Sequence, residues 1–299
     1  MKPRTMVCVT GGTGLVGKGL EETRPPSTEM VSTHLRRYPV RGSRVRHLLM
    51  DVREKTQVEA FFRRHPCDVV VHAAGAANVD YTETHPLESW ESNVLGTLNI
   101  VTACQRRGSR LIYLSSNAVF DGTSPPYREG DPLRPVNRYG AIKIECERIV
   151  RAMQGPWTIV RPILMYGWPH ATGRPNFVTW LLRELRRKQP LHVVTDVYEN
   201  PLWVHQLSRA IWEMVERKSH GVFHIAGGEV INRYQFARQA AEVFGLKGSL
   251  IRPVRSAFFP SLAPRPRNTS LATRRMEREL GIVPLSVEEG LRAMKTQGR

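Results

Sequence analysis

Tyr139 and Lys143 stand four residues apart in Tyr139-Gly140-Ala141-Ile142-Lys143, and Ser116 follows the apolar run Leu111-Ile112-Tyr113-Leu114 upstream. Together these three side chains can move a proton. If the stretch around Tyr139 is helical, phenol and ammonium lie one turn apart on one face. A neighbouring cation favours phenolate and lowers a phenol from about 10 towards working pH, as a proton donor or acceptor for a carbinol requires. The hydroxyl of Ser116 would hold the same substrate oxygen.

Those side chains need a partner to react with, and the N-terminus supplies the binding element for one. The apolar strand Met6-Val7-Cys8-Val9 runs directly into Thr10-Gly11-Gly12-Thr13-Gly14-Leu15-Val16-Gly17. This spacing suits a strand-to-helix turn that brings a pyrophosphate onto backbone N–H groups. Gly11 permits the tight turn, Gly14 the close approach and Gly17 the packing of helix on strand. Around Thr13, Leu15 and Val16 the helix N-terminus offers positive dipole to the anion. Where an acidic residue at the end of the second strand would grip ribose hydroxyls, Met30-Val31-Ser32-Thr33-His34-Leu35 leads to Arg36 and Arg37. Two guanidinium groups suit a 2′-phosphate, so NADP(H) is expected in preference to NAD(H).

Apolar strands alternate with amphipathic helices. Strands are expected at 7–9, 30–33, 45–49, 69–72, 111–114, 158–161 and 222–225, and helices near 57–64, 87–106, 138–152 and 205–216. The fold class is α/β: a Rossmann doubly wound parallel sheet with a smaller C-terminal α/β substrate lobe. The dinucleotide-binding domain spans 1–162 and is completed by about 200–228. The lobe takes 163–199 and 229–299, with helices at 177–188 and from Arg233, a short strand at 249–252 and the Pro-rich stretch 259–267. Pro25-Pro26 interrupts the first helix early, without an evident functional reason.

The chain has 299 residues, 41% hydrophobic and 24% charged, enough for one large core and a smaller one. No apolar stretch reaches the roughly 20 residues that span a bilayer, and Met1-Lys2-Pro3-Arg4 leads straight into the first strand, so a cytoplasmic protein without membrane contact is expected. Cys8, Cys67, Cys104 and Cys146 are scattered, and neither a Cys-x-x-Cys pair nor a His cluster marks a metal. The net charge of +17 attracts anions. No nucleic-acid motif accompanies it, and arginine pairs are spread along the chain as on a solvated basic surface. A dinucleotide and a nucleotide-diphospho-sugar are the acidic ligands such a field would draw in.

The glycine turn, Asp51-Val52, His72-Ala73-Ala74-Gly75, Asn93, Leu114-Ser115-Ser116, Phe120-Asp121-Gly122, Tyr139 to Lys143, Arg161-Pro162 and Arg265-Pro266-Arg267-Asn268 extend over nearly the whole chain. On these residues the chain resembles the extended short-chain dehydrogenase/reductases, within them the dTDP-4-dehydrorhamnose reductase branch. It is also similar to the regulatory beta subunit of methionine adenosyltransferase. The resemblance implies an NADPH-dependent reductase of a 4-keto nucleotide-diphospho-deoxysugar, with Ser116, Tyr139 and Lys143 catalytic. A nucleotide-sugar epimerase and a non-catalytic dinucleotide-binding subunit stay open beside it, as does a homodimer.

It further implies adenine contacts from Asp51 and Val52, a floor beneath the nicotinamide from Ala73, Ala74 and Gly75, and a relay or bracing role for Asn93. Ser116, Asn117, Asn176 and Arg265 match positions that meet the substrate, whereas His72 reads as structural. Three places depart from the branch. Asn117-Ala118 stands for its usual Asp-Tyr, Leu164 for an aromatic residue and Gln206 for an Asp, which implies a smaller, less aromatic sugar pocket.

Overall fold

The computed structural model describes residues 4–36, 43, 45–171, 173–259 and 263–298. The chain opens with β1 (Thr5–Thr10), the glycine turn and α1 (Leu15–Glu22). Helix α1 lasts eight residues because Pro25 and Pro26 lack the N–H groups to continue it. Carbonyls near its end are taken by side chains: Thr23 Oγ1 donates to Gly19 O at 2.8 Å and Trp212 Nε1 to Leu20 O at 3.3 Å. The interruption therefore has a structural account.

The chain continues through β2 (Thr28–His34), β3 (Arg46–Leu49), α2 (Lys55–Arg64), β4 (Val69–His72), α3 (Val79–Thr84) and α4 (Pro86–Trp90). The single helix expected over 87–106 is broken by a π-turn, Glu91–Leu95, before α5 (Gly96–Arg107). Buried Asn93 causes a competition there: its Nδ2 donates at 2.8 Å to Ser89 O, the carbonyl that an α-helix would give to its own N–H. After β5 (Arg110–Leu114) come α6 (Arg138–Arg151) and β6 (Trp157–Pro162). The chain then enters the smaller lobe with β7 (Met165–Tyr166), α7 (Phe177–Arg186), β8 (Leu191–Val194), β9 (Tyr198–Glu199) and β10 (Leu202–Trp203). Helix α8 (Val204–Glu216) brings it back to the sheet as β11 (Gly221–Ile225).

Seven strands form one parallel sheet in the order β11-β6-β5-β4-β1-β2-β3. The order reverses between β1 and β4, and there the carboxyl ends of the strands leave a crevice. Side chains alternate between two cores. Val7, Val9 and Val71 pack under α1 and α8 with Leu20, Leu207 and Ile211, while Cys8, Val70, Leu111 and Ile159 meet Phe62, Ile100 and Ile142 on the other face. All four cysteines are buried free thiols.

The smaller lobe continues with β12 (Ile231–Asn232), α9 (Arg233–Val243) and β13 (Ile251–Val254). A third core of Leu181, Leu182, Phe236 and Leu291 holds α7 and α9 against α11 (Val287–Gln297), which follows α10 (Arg274–Leu280). Two expectations shift here. The strand expected at 249–252 lies at Ile251–Val254, after a 3-10 turn at Gly248–Leu250, because its partners are Leu191 to Val194 of β8. Helix α10, inside the stretch 229–299 expected for the lobe, packs instead on β11, with the Arg275 guanidinium 4.0 Å from the Phe223 ring centroid and Met276 fully buried. No helix among the described residues is long and apolar enough to cross a membrane.

Candidate active site

The glycine turn is built by exclusion of side chains. Gly11 has φ +69°, in the left-handed region, and a Cβ on it would sit 2.9 Å from Ala74 Cα. A Cβ on Gly17 would overlap the Gly12 carbonyl, and one on Gly12 would overlap Ser32 Oγ. Gly12 was not singled out in the sequence, although its place in the Gly11-Gly12 doublet was visible. Exposed Gly14 is the N-cap of α1 and offers no side-chain cap, with half-buried Thr13 and Leu15 beside it and Val16 buried. The N–H groups of the first helical turn are left for an anion, so these residues fit a pyrophosphate.

Along the crevice, β4 ends at His72, and Ala73, Ala74 and Gly75 follow it. His72 Nδ1 and Thr10 Oγ1 are 2.7 Å apart, and Nε2 lies 3.2 Å from Thr97 Oγ1. Burial, helped by the charge of Lys143, lowers the His72 ring to about 3, so it stands neutral and structural. Gly75 has φ +144° and no room for a Cβ against Asn93 Oδ1. Asn93 Nδ2 also donates to Ala76 O at 3.3 Å, which braces the end of β4. Towards the sheet edge, Asp51 carries a paired contact from Arg53, Nε and Nη2 donating at 3.0 and 2.7 Å, and this partner holds its carboxyl below the usual range. Val52 O accepts from Asn99 Nδ2 at 2.9 Å. Arg36 is exposed beyond the end of β2, and Arg37 lies outside the described residues.

The residues expected to move a proton lie on the turn after β5 and on α6, which packs against it. Ser116 Oγ caps a short 3-10 turn, accepting from Ala118 N at 3.1 Å and donating to Asn117 Oδ1 at 3.3 Å. Helix α6 packs on this turn because Gly140 has no Cβ, which would otherwise strike the Ala118 carbonyl. Its N-cap is Asn137, which accepts from Gly140 N at 2.9 Å and donates to Pro264 O at 3.0 Å. Tyr139 and Lys143 are buried one turn apart, with Nζ 5.8 Å from the Tyr139 ring centroid. Lys143 Nζ donates to Leu114 O at 3.0 Å and to Tyr113 Oη at 3.2 Å. Tyr113, missed in the sequence, keeps its proton because burial pushes its phenol well up.

One further turn along α6, Glu147 meets Arg161 of β6, both fully buried, with Nε and Nη2 donating at 2.8 and 2.7 Å. Ser115 Oγ donates to the same carboxylate at 2.6 Å. The spacing 139, 143, 147 was legible, and Arg151 stands four residues beyond Glu147 with Nη2 3.6 Å from Oε2, but the main partner, Arg161, comes from a separate strand.

A cleft of about 630 Å³ is lined by Asp80, Phe177, Trp180, His192, Arg233 and Arg265, among others; Ser116, Tyr139 and Lys143 are not part of its lining. Arg265 Nη2 is 2.9 Å from Asp80 Oδ2 and Nη1 donates to Ala263 O at 3.2 Å, so this guanidinium faces a carboxylate of α3. Asn176 stands apart as the N-cap of α7: it accepts from Thr179 N at 3.3 Å, and its Nδ2 donates to Gly167 O at 2.6 Å. Asn117 Nδ2 donates to Thr269 Oγ1 at 2.6 Å.

The family described as RmlD substrate binding domain matches residues 5–299. Among curated proteins, the chain is 30% identical to methionine adenosyltransferase 2 subunit beta of Bos taurus, covering 94% of this chain and 84% of the relative. It is 29% identical to dTDP-4-keto-6-deoxy-D-glucose reductase of Streptomyces niveus, over 93% and 91%. Among solved structures, dTDP-4-dehydrorhamnose reductase from Bacillus anthracis in complex with NADP superposes with a TM-score of 0.88 at 25% identity, covering 98% of this chain and 99% of that one.

Proposed function

Because this chain belongs to the RmlD substrate binding domain family, we propose that it is an NADPH-dependent reductase of a 4-keto nucleotide-diphospho-deoxysugar. The observation that carries this reading is the Tyr139–Lys143 pair, buried one turn apart on α6 with Nζ held on Leu114 O two residues before Ser116, in a chain that also carries an uncapped glycine turn. Gly11, Thr13, Gly14, Leu15, Val16 and Gly17 hold the pyrophosphate, while Asp51 and Val52 meet the adenine. Ala73, Ala74 and Gly75 floor the nicotinamide side, with Asn93 as their brace. The dinucleotide, when bound, supplies the hydride. Tyr139 gives its proton to the ketone oxygen, Ser116 Oγ orients that oxygen, and the Lys143 ammonium stabilises charge beside the phenol and binds ribose. Asn117 and Arg265 face the nucleotide sugar, and Asn176 supports the lobe that carries it.

The test is NADPH oxidation by the purified chain with the 4-keto-6-deoxyglucose derivatives of dTDP and UDP. Steady turnover with one of them is expected. Binding of a nucleotide sugar without oxidation would favour a second reading, a dinucleotide-binding subunit. The bovine relative, by name a subunit of methionine adenosyltransferase, supports that alternative.

Arg36, exposed beyond the end of β2, is on this reading the contact for a 2′-phosphate of the dinucleotide, with Arg37 next in the chain. Arg36→Ala should weaken NADPH by about 1.5 to 3 kcal/mol, the range of one charge-assisted contact, and leave NADH nearly unchanged. Fluorescence titration of both cofactors checks this, and equal losses would make Arg36 a surface charge only.

A further inference from the structure

Glu199 on β9 carries a carboxylate whose side chain is 10% exposed, and Arg233, the first residue of α9, approaches its Oε2 to 2.6 Å. The approach lies off the line of a hydrogen bond, since neither Glu199 Oε2 nor Arg233 Nε has a hydrogen-bond partner. Oε1 receives a long bond, 3.4 Å, from Asn117 Nδ2. A carboxylate as buried as Glu199 needs fuller pairing than this, and Arg233 is a quarter exposed, so the pair keeps acceptor and donor capacity to spare. The helix does not call for this arginine, because a cation in the first turn opposes the helix dipole.

The position of the pair says what the spare capacity serves. On one side Asn117 links Glu199 to Ser116, whose hydroxyl donates to Asn117 Oδ1. On the other, Arg233 lines the cleft with its guanidinium 5.3 Å from the Phe177 ring centroid. Asn117 is matched to this arrangement. An Asp there would set a second carboxylate against Glu199, and like charges in a partly buried site repel.

Resting on the nucleotide-sugar reading of the cleft, we propose that Glu199 and Arg233 read the sugar end of the substrate. Arg233 takes a phosphate oxygen and Glu199 accepts a hydrogen bond from a sugar hydroxyl, so the chain selects nucleotide sugars that keep this hydroxyl. Glu199 is then a specificity-determining residue, and the amide at 117 is its partner.

Calorimetry on the NADPH-loaded full chain, with dTDP, dTDP-glucose, UDP and UDP-glucose as probes, tests this. For the nucleotide that binds, Glu199→Gln should weaken the glucose conjugate about 10- to 100-fold and the bare diphosphate by less than about twofold. Arg233→Met should weaken both. Asn117→Asp should also weaken the conjugate, and Asn117→Asp/Glu199→Gln, which exchanges acid and amide, should recover much of that loss. Equal effects of Glu199→Gln on conjugate and diphosphate, or none, would overturn the assignment while leaving the nucleotide-sugar reading intact. A double variant that recovers melting temperature but not affinity would do the same. If the parent binds none of the four probes, the nucleotide-sugar reading fails and this inference with it.

Discussion

Tyr139→Phe is expected to lower turnover by about 10²- to 10⁴-fold, the usual share of a positioned general acid, while NADPH affinity stays nearly unchanged. Tyr139 is buried on the first turn of α6, so phenylalanine fills the same space and only the proton donor is lost. Lys143 remains held by Leu114 O and Tyr113 Oη, neither of which depends on Tyr139, so its ammonium keeps its place. Single-turnover kinetics with saturating NADPH would separate this loss from any change in binding. Parent-like rates would remove Tyr139 from the mechanism and move the search for a donor elsewhere in the cleft.

The largest expected effect on stability comes from the buried pair beneath the site. Arg161→Met should cost about 3 kcal/mol, because it leaves the buried Glu147 carboxylate with only the half-exposed Arg151, whose Nη2 lies 3.6 Å from Oε2, as a cation. Glu147 is 1% exposed and also holds Ser115 Oγ, while Arg161, equally buried, donates to Glu129 O at 3.1 Å and lies 5.4 Å from the Phe120 ring centroid. The pair thus ties α6, β6, the end of β5 and the segment around Phe120 together. Urea denaturation monitored by tryptophan fluorescence would measure the loss as a lower midpoint at constant slope. Glu147→Leu/Arg161→Met should recover a large part of it, since an apolar pair of similar volume carries no desolvation penalty. A single-variant loss below about 1 kcal/mol would mean that Arg151 or water compensates the carboxylate.

The parallel sheet, the glycine turn and the Tyr139–Lys143 face were legible because each is written in residues close together along the chain. Strand alternation has a period of two, a helical pair a spacing of four, and a turn with positive φ declares itself by Gly11. The early end of α1 was legible in the same way, from Pro25 and Pro26. The π-turn at Asn93 was not, because it depends on a side-chain amide outcompeting a backbone N–H for Ser89 O.

What only the tertiary structure decided are the partners of the charged and polar groups in the site. Arg265 faces Asp80, Asn117 reaches Glu199 and Thr269, and Lys143 rests on Tyr113 and Leu114, each pair brought together from distant parts of the chain. Asp51 was marked by the motif, yet its engagement by Arg53 appeared only in the folded chain. Propensity and periodicity are local properties of the backbone and its near neighbours, so a sequence carries them openly. Which donor meets which acceptor depends on close packing between elements far apart in the chain, where no repeating spacing marks the pair and only the folded geometry brings the atoms within hydrogen-bond reach.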